Sequence, residues 1–147
     1  IIRHSNIYGP HDKYDLDKSH VFGATITKVL TAKDKVEIWG TGNEIRDFLY
    51  ADDLVNFVKN TITKQKTQYE IYNCGSGVPI KVKDLVKKIV YISGKKIKIN
   101  YNKAKPSIPF NMYLNISKAK KELGWSPKTN IDLGIEKTIN WWHENIK

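Results

Sequence analysis

Few side chains in this sequence are equipped to do chemistry, and the best placed of them lies in one stretch, Val36 to Asp53 (VEIWGTGNEIRDFLYADD). Arg46 follows the turn Gly40-Thr41-Gly42-Asn43, and Arg3 is the only other arginine among the 25 basic residues. A guanidinium on a rigid strand grips phosphate or carboxylate with its planar fork. The same residue could equally be a surface cation paired with Glu44 or Asp47. Asp52 and Asp53 could be a carboxylate pair for acid–base work, but at the start of a helix they suit capping and the helix dipole better. Cys74, the single cysteine, has no activating neighbour in the sequence and reads as a buried structural thiol. His11, Asp12, Asp15 and Asp17 crowd the loop 9–19. They could ligate a metal, but so polar a loop reads as solvated, and no metal is expected.

The elements that must position these groups follow from periodicity and punctuation. Residues 1–7 read as a strand, broken by Tyr8-Gly9-Pro10. Ser19 looks like the N-cap of a helix running to about Ala32 with Val21, Ala24, Ile26, Val29 and Leu30 on an imperfect stripe. Val36–Trp39 and Arg46–Tyr50 read as strands joined in a hairpin or tight corner. Leu54, Val55, Phe57, Val58 and Ile62 are at helical spacing after Asp52 and Asp53. Residues 69–75 form the next strand, and Gly75-Ser76-Gly77 lacks the spacing of a dinucleotide loop and reads as a turn. The segment 81–93 is amphipathic, with Val82, Leu85, Val86, Ile89 and Val90 facing in, and Gly94 ends it. A strand at 96–100, a loop at 102–111 with Pro106 and Pro109, a short helix capped by Ser117, and a last helix with Ile131, Ile135, Ile139, Trp142 and Ile146 in line complete the chain. The order β-α-β-β-α-β-α-β-α-α is mixed α/β.

At 147 residues the chain is long enough for a real core. No apolar run is of membrane-spanning length, no signal-like segment opens it, and one cysteine excludes an intrachain disulfide. A cytoplasmic setting with no membrane partner is expected. The net charge of +10 invites a polyanion-binding reading. Nearly all of it is lysine spread opposite apolar stripes, however, which reads as a solvated face, and no nucleic-acid partner is expected. The chain opens on Ile1, directly in a strand with nothing before it to pair with, so a piece of a longer polypeptide is expected.

The ordered set RHSNIYGPHD, SHV…K, IWGTG…RDFLYADDL, YNCGSG and SKAKKELGWSP…GI…T…WW resembles the C-terminal half of the extended short-chain dehydrogenase/reductase family that modifies nucleotide sugars, the NAD-dependent epimerases/dehydratases. Within it, Ser19-His20-Val21, Lys28 and Trp39 look most like the GDP-L-fucose synthases. The resemblance implies the end of a Rossmann-type parallel sheet (1–8 and 51–77) joined to a smaller mixed α/β substrate-binding domain (9–50 and 78–147). The cofactor-binding half would precede the chain. No G-x-x-G-x-x-G occurs here. Tyr14/Lys18, Tyr91/Lys95 and Tyr101/Lys105 have Tyr-x-x-x-Lys spacing without the family's context and are rejected as its catalytic pair.

Position by position, the resemblance implies that the backbone of His4, Ser5, Asn6 and Ile7, together with His20, lines the nicotinamide end of NADP or NAD. Asn6 would also orient the sugar. His20 would be the epimerisation acid, since exchanging protons beside a 4-keto group needs one group to remove a proton and another to return it, and histidine suits that near neutral pH. Lys28 and Arg46 would hold the diphosphate of a nucleotide sugar, a GDP-sugar being favoured. Trp39 would be either a substrate-contacting aromatic or core packing. A homodimer is implied for the whole protein. Lys105-Pro106-Ser107-Ile108-Pro109-Phe110-Asn111 departs from the fucose-synthase pattern of a glycine and a basic residue and looks closer to general nucleotide-sugar epimerases. A 4-epimerase or dehydratase acting on another nucleotide sugar is the alternative, and a non-catalytic basic module the remote one.

Overall fold

The computed structural model describes residues 1–108 and 110–146; Pro109, within the expected loop, and Lys147 lie outside the described residues. The first strand is divided. β1 (Ile2–His4) runs parallel to β6 (Tyr72–Cys74), and β2 (Asn6–Tyr8) runs parallel to β5 (Phe48–Tyr50). The handover falls at Ser5: its N–H donates to Cys74 O at 3.0 Å, and the next amide, Asn6 N–H, donates to Asp47 O at 3.1 Å. One extended segment thereby joins two strand pairs.

β5 separates two cores because side chains of successive strand residues point to opposite faces. Phe48 and Tyr50 enter the larger core with Tyr8, Phe22, Ile26, Leu85, Ile89 and Ile135. Leu49 enters the smaller, with Phe57, Tyr72, Cys74, Leu123 and Trp125. Tyr8 stacks on Phe22 with ring centres 4.0 Å apart, and Phe57 meets Trp125 edge-on at 4.8 Å. Helices α1 (Val21–Thr31), α3 (Val82–Ile92) and α5 (Ile131–Asn145) enclose the first core. Helices α2 (Ala51–Lys64) and α4 (Ser117–Leu123) enclose the second. Gly134 lets α5 close on β2, since a Cβ there would stand 1.9 Å from the Tyr8 hydroxyl.

The expected hairpin is not one. β3 (Lys35–Trp39) pairs in parallel with β8 (Lys98–Asn102), and β4 (Ile45–Arg46) pairs antiparallel with β7 (Ile80–Lys81). The turn between β3 and β4 is held from outside: Gly40 N–H donates to Asn102 O at 2.9 Å, and Gly42 O accepts from Lys83 N–H at 2.8 Å. Gly42 has φ +71°, and Tyr101 would lie 2.7 Å from a Cβ there. The tight-corner alternative is the one realised.

Three expected caps also differ. His20, not Ser19, is the N-cap of α1, and the Ser19 hydroxyl is buried without a partner. Tyr50 caps α2, while Asp53, 2 % exposed, accepts instead from Lys128 N–H and Thr129 N–H at 2.9 Å each and pins the approach to α5. Ser117 lies inside α4, whose Ser117 N–H is satisfied by Asn115 Oδ1 at 2.9 Å. α5 takes a side-chain cap from Asn130, which accepts from Leu133 N–H at 2.9 Å. Of its expected stripe, Ile135, Ile139 and Trp142 are buried and Ile146, past the helix end, is 43 % exposed. In α2, Leu54 and Phe57 face in, whereas Val55, Val58 and Ile62 are exposed.

Candidate functional site

The site is assembled on the exposed end of β3. Val36 and Ile38 turn into the core, so the period of two leaves Trp39 outside, 49 % exposed. Core packing, one of its two expected roles, is overturned. The Nζ of Lys28, from the last turn of α1, stands 5.0 Å from the centre of the Trp39 ring and donates to Glu37 O at 3.3 Å. Burial pushes the Lys28 pKa down, with the Glu37 charge opposing. Lys105 Nζ stands 5.6 Å from the centre of the same ring.

Lys105 opens a strap, whose described residues 105–108 and 110–112 run from Trp39 to Arg46. Ser107 lies against Gly40, where a Cβ would come within 2.5 Å of the serine Cβ. Asn111 Oδ1 accepts from Ile45 N–H at 2.9 Å, and Met112 N–H donates to Ile45 O at 3.0 Å. Arg46 grips the strap between these ties. Its Nη2 donates to Ile108 O at 2.8 Å and its Nη1 to Phe110 O and to Ile45 O, the last at 2.9 Å, with the Phe110 ring centre 5.1 Å from Cζ. Neither carboxylate considered from the sequence pairs with it. Glu44 meets Thr41 Oγ1 at 3.5 Å, and Asp47 turns elsewhere, so the surface ion-pair reading is overturned. A guanidinium has five N–H donors, and with three committed, Nε–H and one on Nη2 remain for a ligand.

Asp47 is wholly buried, and both its oxygens are used. Oδ1 accepts from Ser76 N–H at 2.7 Å and Ser76 Oγ at 2.6 Å; Oδ2 accepts from Leu114 N–H at 3.1 Å and Gly77 N–H at 3.4 Å. Its backbone carbonyl takes Asn6 Nδ2 at 2.9 Å, which fixes that amide at the handover between β1 and β2. Sequence reasoning missed Asp47 as an organising group. The signal was an acid directly before the apolar run Phe48-Leu49-Tyr50, where it must be buried and therefore satisfied. Lys105 was missed as well. It lies in a loop, where no periodicity reports on it.

Of the remaining candidates, His20 is exposed at the N-cap of α1, and its imidazole makes no hydrogen bond among the described residues. It precedes Lys28 by two helical turns, about 12 Å along the axis. His4 Nδ1 contacts Ser5 O at 2.8 Å, and Ile7 is half-buried beside the smaller core. Ser5 is 4 % exposed with an unpartnered hydroxyl. Cys74 is buried; desolvation first, then the charges of Asp47 and Asp53, push its thiol up to about 12, which makes it inert near neutrality. Among the described residues, no group of three or more His, Cys, Asp or Glu is arranged to hold a metal, and no helix is long and apolar enough to cross a membrane.

Residues 1–75 match the model of the NAD dependent epimerase/dehydratase family. A GDP-L-colitose synthase of Yersinia pseudotuberculosis is 36% identical over 141 residues, which cover 93% of this chain and 46% of that protein. A GDP-L-fucose synthase of Sinorhizobium fredii is 35% identical over 146 residues, covering 97% and 46%. The crystal structure of a UDP-glucose 4-epimerase from Thermotoga maritima, with UDP-glucose, superposes with a TM-score of 0.89 at 27% identity, over 99% of this chain and 46% of that one. The chain thus spans about half the length of the proteins it matches.

Proposed function

The chain belongs to the NAD-dependent epimerase/dehydratase family, and on that premise we propose that it is the substrate-holding part of a nucleotide-sugar epimerase/reductase of the GDP-L-fucose synthase type. The substrate would be GDP-4-keto-6-deoxy-D-mannose, epimerised at the carbons beside the ketone and reduced at C4. The observation that carries this reading is the shared brace. Lys28 meets the exposed Trp39, and the strap that brings Lys105 to the same ring is the one whose carbonyls Arg46 holds. Residues 1–8 and 51–77 serve as the end of the cofactor domain and the rest as the substrate domain.

The family implies NADP or NAD. The handover at Ser5 fits its nicotinamide end in one respect: a buried hydroxyl lacks a partner there. The amides of Ser5 and Asn6 are already committed to Cys74 O and Asp47 O, so side chains and carbonyls of His4, Ser5, Asn6 and Ile7 would make the contacts. When bound, the cofactor supplies the hydride. The family's catalytic pair, which would protonate the C4 oxygen, and the partner of His20 in proton exchange would be supplied from outside this chain; this chain's own residues bind, orient and move one proton. Asn6, held by Asp47 O, orients the sugar; Lys28 and the free edge of Arg46 hold the diphosphate; His20, unbonded and exposed, removes or returns a proton at the carbon beside the ketone.

The test uses the complete polypeptide. Calorimetry with GDP, UDP, CDP and dTDP should show preference for GDP, and His20→Asn should abolish epimerisation while leaving GDP affinity unchanged. A preference for another diphosphate, with turnover indifferent to His20→Asn, would establish the second reading, a 4-epimerase or dehydratase. That reading is favoured by the strap sequence Lys105 to Asn111, which lacks the glycine of the fucose-synthase stretch and departs from its pattern.

A further inference from the structure

One carboxylate oxygen in the loop before α1 is buried with nothing to accept. Asp12 Oδ1 accepts from Lys13 N–H at 2.7 Å, whereas Asp12 Oδ2 is buried without a hydrogen-bond partner among the described residues. A buried polar atom left unbonded forfeits its hydration for nothing, so a donor is expected for it. Burial pushes the Asp12 carboxyl up, while the Lys13 amide and then the charge of His20 hold it down.

That oxygen lies against the start of α1. A Cβ on Gly23 would stand 3.4 Å from Asp12 Oδ2 and 2.6 Å from Lys13 O, so glycine is what lets the loop come this close. Gly23 is the third residue of the helix, and the side chain of an N-cap folds back towards the third residue. Here the N-cap is His20, whose side chain makes no capping bond. The free oxygen therefore lies where the imidazole arrives when it folds back over the first turn. The loop is held in this place from two helices. Thr27 Oγ1 of α1 donates to Tyr14 O at 2.9 Å, and the rings of His11 and Tyr14 meet Trp141 of α5 with centres 4.8 and 5.6 Å apart. Tyr14 OH closes the loop on itself, donating to Gly9 O at 2.7 Å.

We propose that Asp12 is a positioning residue for His20: its free oxygen accepts a ring N–H when the imidazole folds back, and so fixes the tautomer and direction of the ring that exchanges a proton beside the ketone. The inference rests on the functional reading above and deepens it, by giving His20 an orienting partner. Asp12 takes no proton itself. One ring nitrogen stays bonded to it, and the other carries the proton between imidazole and carbon; which nitrogen does so follows from the bond the first one makes.

The experiment uses the complete polypeptide with nitrogen-15 in its histidines, free and with GDP added, in mildly alkaline solution. The ring-nitrogen signals of His20, identified by their loss in H20N, should show one dominant tautomer in the wild type and lose it in D12N, whose amide N–H faces the ring in place of the oxygen. His4 and His143 should not move. With GDP-4-keto-6-deoxy-D-mannose in deuterated water, D12N should take up deuterium beside the ketone about ten- to a hundredfold more slowly at unchanged KM, a part of the roughly 10²–10⁴-fold that a positioned acid–base group supplies. S19A removes the neighbouring buried hydroxyl that also lacks a partner, and should leave both readouts as they were. A wild-type His20 ring that averages its tautomers in both conditions would overturn the proposal without any variant. So would deuterium uptake in D12N within about twofold of wild type, an equal loss in S19A, or a loss in D12N that appears only as raised KM or lowered stability, the signature of a helix cap. An Asp12-dependent tautomer in a polypeptide that turns over no nucleotide sugar would support the pair and reject the enzymatic reading. Epimerisation lost in H20N but untouched in D12N would do the reverse.

Discussion

Asp47→Asn should be among the most damaging conservative changes this chain can carry. The carboxylate is wholly buried and receives four donors, two on each oxygen. An asparagine has one oxygen. If that oxygen keeps Ser76 N–H and Oγ–H, the new amide turns its own N–H groups towards Gly77 N–H and Leu114 N–H; flipped, it abandons Ser76. Hydrogen bonds to a charged group contribute about 1.5–3 kcal/mol each and are not additive, and breaking a buried charged network costs about 3–5 kcal/mol. The expected loss is therefore about 3–5 kcal/mol, which in a chain of this size lowers the melting temperature by on the order of 10 °C. Urea unfolding followed by tryptophan emission measures it, with exposed Asp52→Asn as the control that should move stability by less than about 0.5 kcal/mol. Amide exchange should accelerate at Ser76, Gly77 and Leu114 before it does so in α3. A loss below about 1 kcal/mol, the level of a single ordinary hydrogen bond, would refute the claim that Asp47 organises the site.

Other expectations follow from the same contacts. Arg46→Lys keeps the charge but cannot bridge two carbonyls with a planar fork, so it should free the strap at a cost of about 1–2 kcal/mol, read as faster proteolysis between Lys105 and Met112. Gly134→Ala places a methyl 1.9 Å from the Tyr8 hydroxyl, inside the larger core, and should destabilise by about 1–3 kcal/mol or more in a urea melt. Cys74 should resist a chromogenic disulfide reagent in the folded chain and react once denatured. Its thiol ionises near 9.0 when unfolded and near about 12 when folded, so the folded state holds the extra proton and stability falls as pH rises across that window. Tyr8 and Tyr14, raised chiefly by burial, act in the same direction. A urea midpoint that stays level through the alkaline range would contradict both the burial and the sign.

The helices were legible because each depends on its own spacing. The stripe Val82, Leu85, Val86 and Ile89 is buried as its period requires, and Gly94 and Gly124 stop their helices with positive φ. Strand partners were not legible. Two strands separated by Gly40-Thr41-Gly42-Asn43 look like a hairpin locally, yet β3 pairs with β8, about sixty residues on, and only the long-range ladder decides. Caps failed for a related reason. Asp53 has the right chemistry and position for its own helix, but the amides of Lys128 and Thr129 reach it and the helix start does not. In the site, Lys28, Trp39 and Arg46 could be named from the family resemblance, and the exposure of Trp39 follows from strand alternation. Lys105 and the grip of Arg46 on the strap depend on a loop meeting a distant strand, for which no sequence period exists.

Arg46 and Asp47 explain why so small a strand can organise so much. Neighbours in an extended chain point to opposite sides, and these two use both. Arg46 reaches the carbonyls of Ile108 and Phe110, whereas Asp47 reaches the amides of Ser76, Gly77 and Leu114. The segment that carries Ile108, Phe110 and Leu114 is therefore clamped at one end by a cation taking carbonyls and at the other by an anion taking the Leu114 amide. Both clamps hold one segment, so the losses in urea stability from Arg46→Lys and Asp47→Asn should be non-additive. Additive losses would mean that the two clamps act independently.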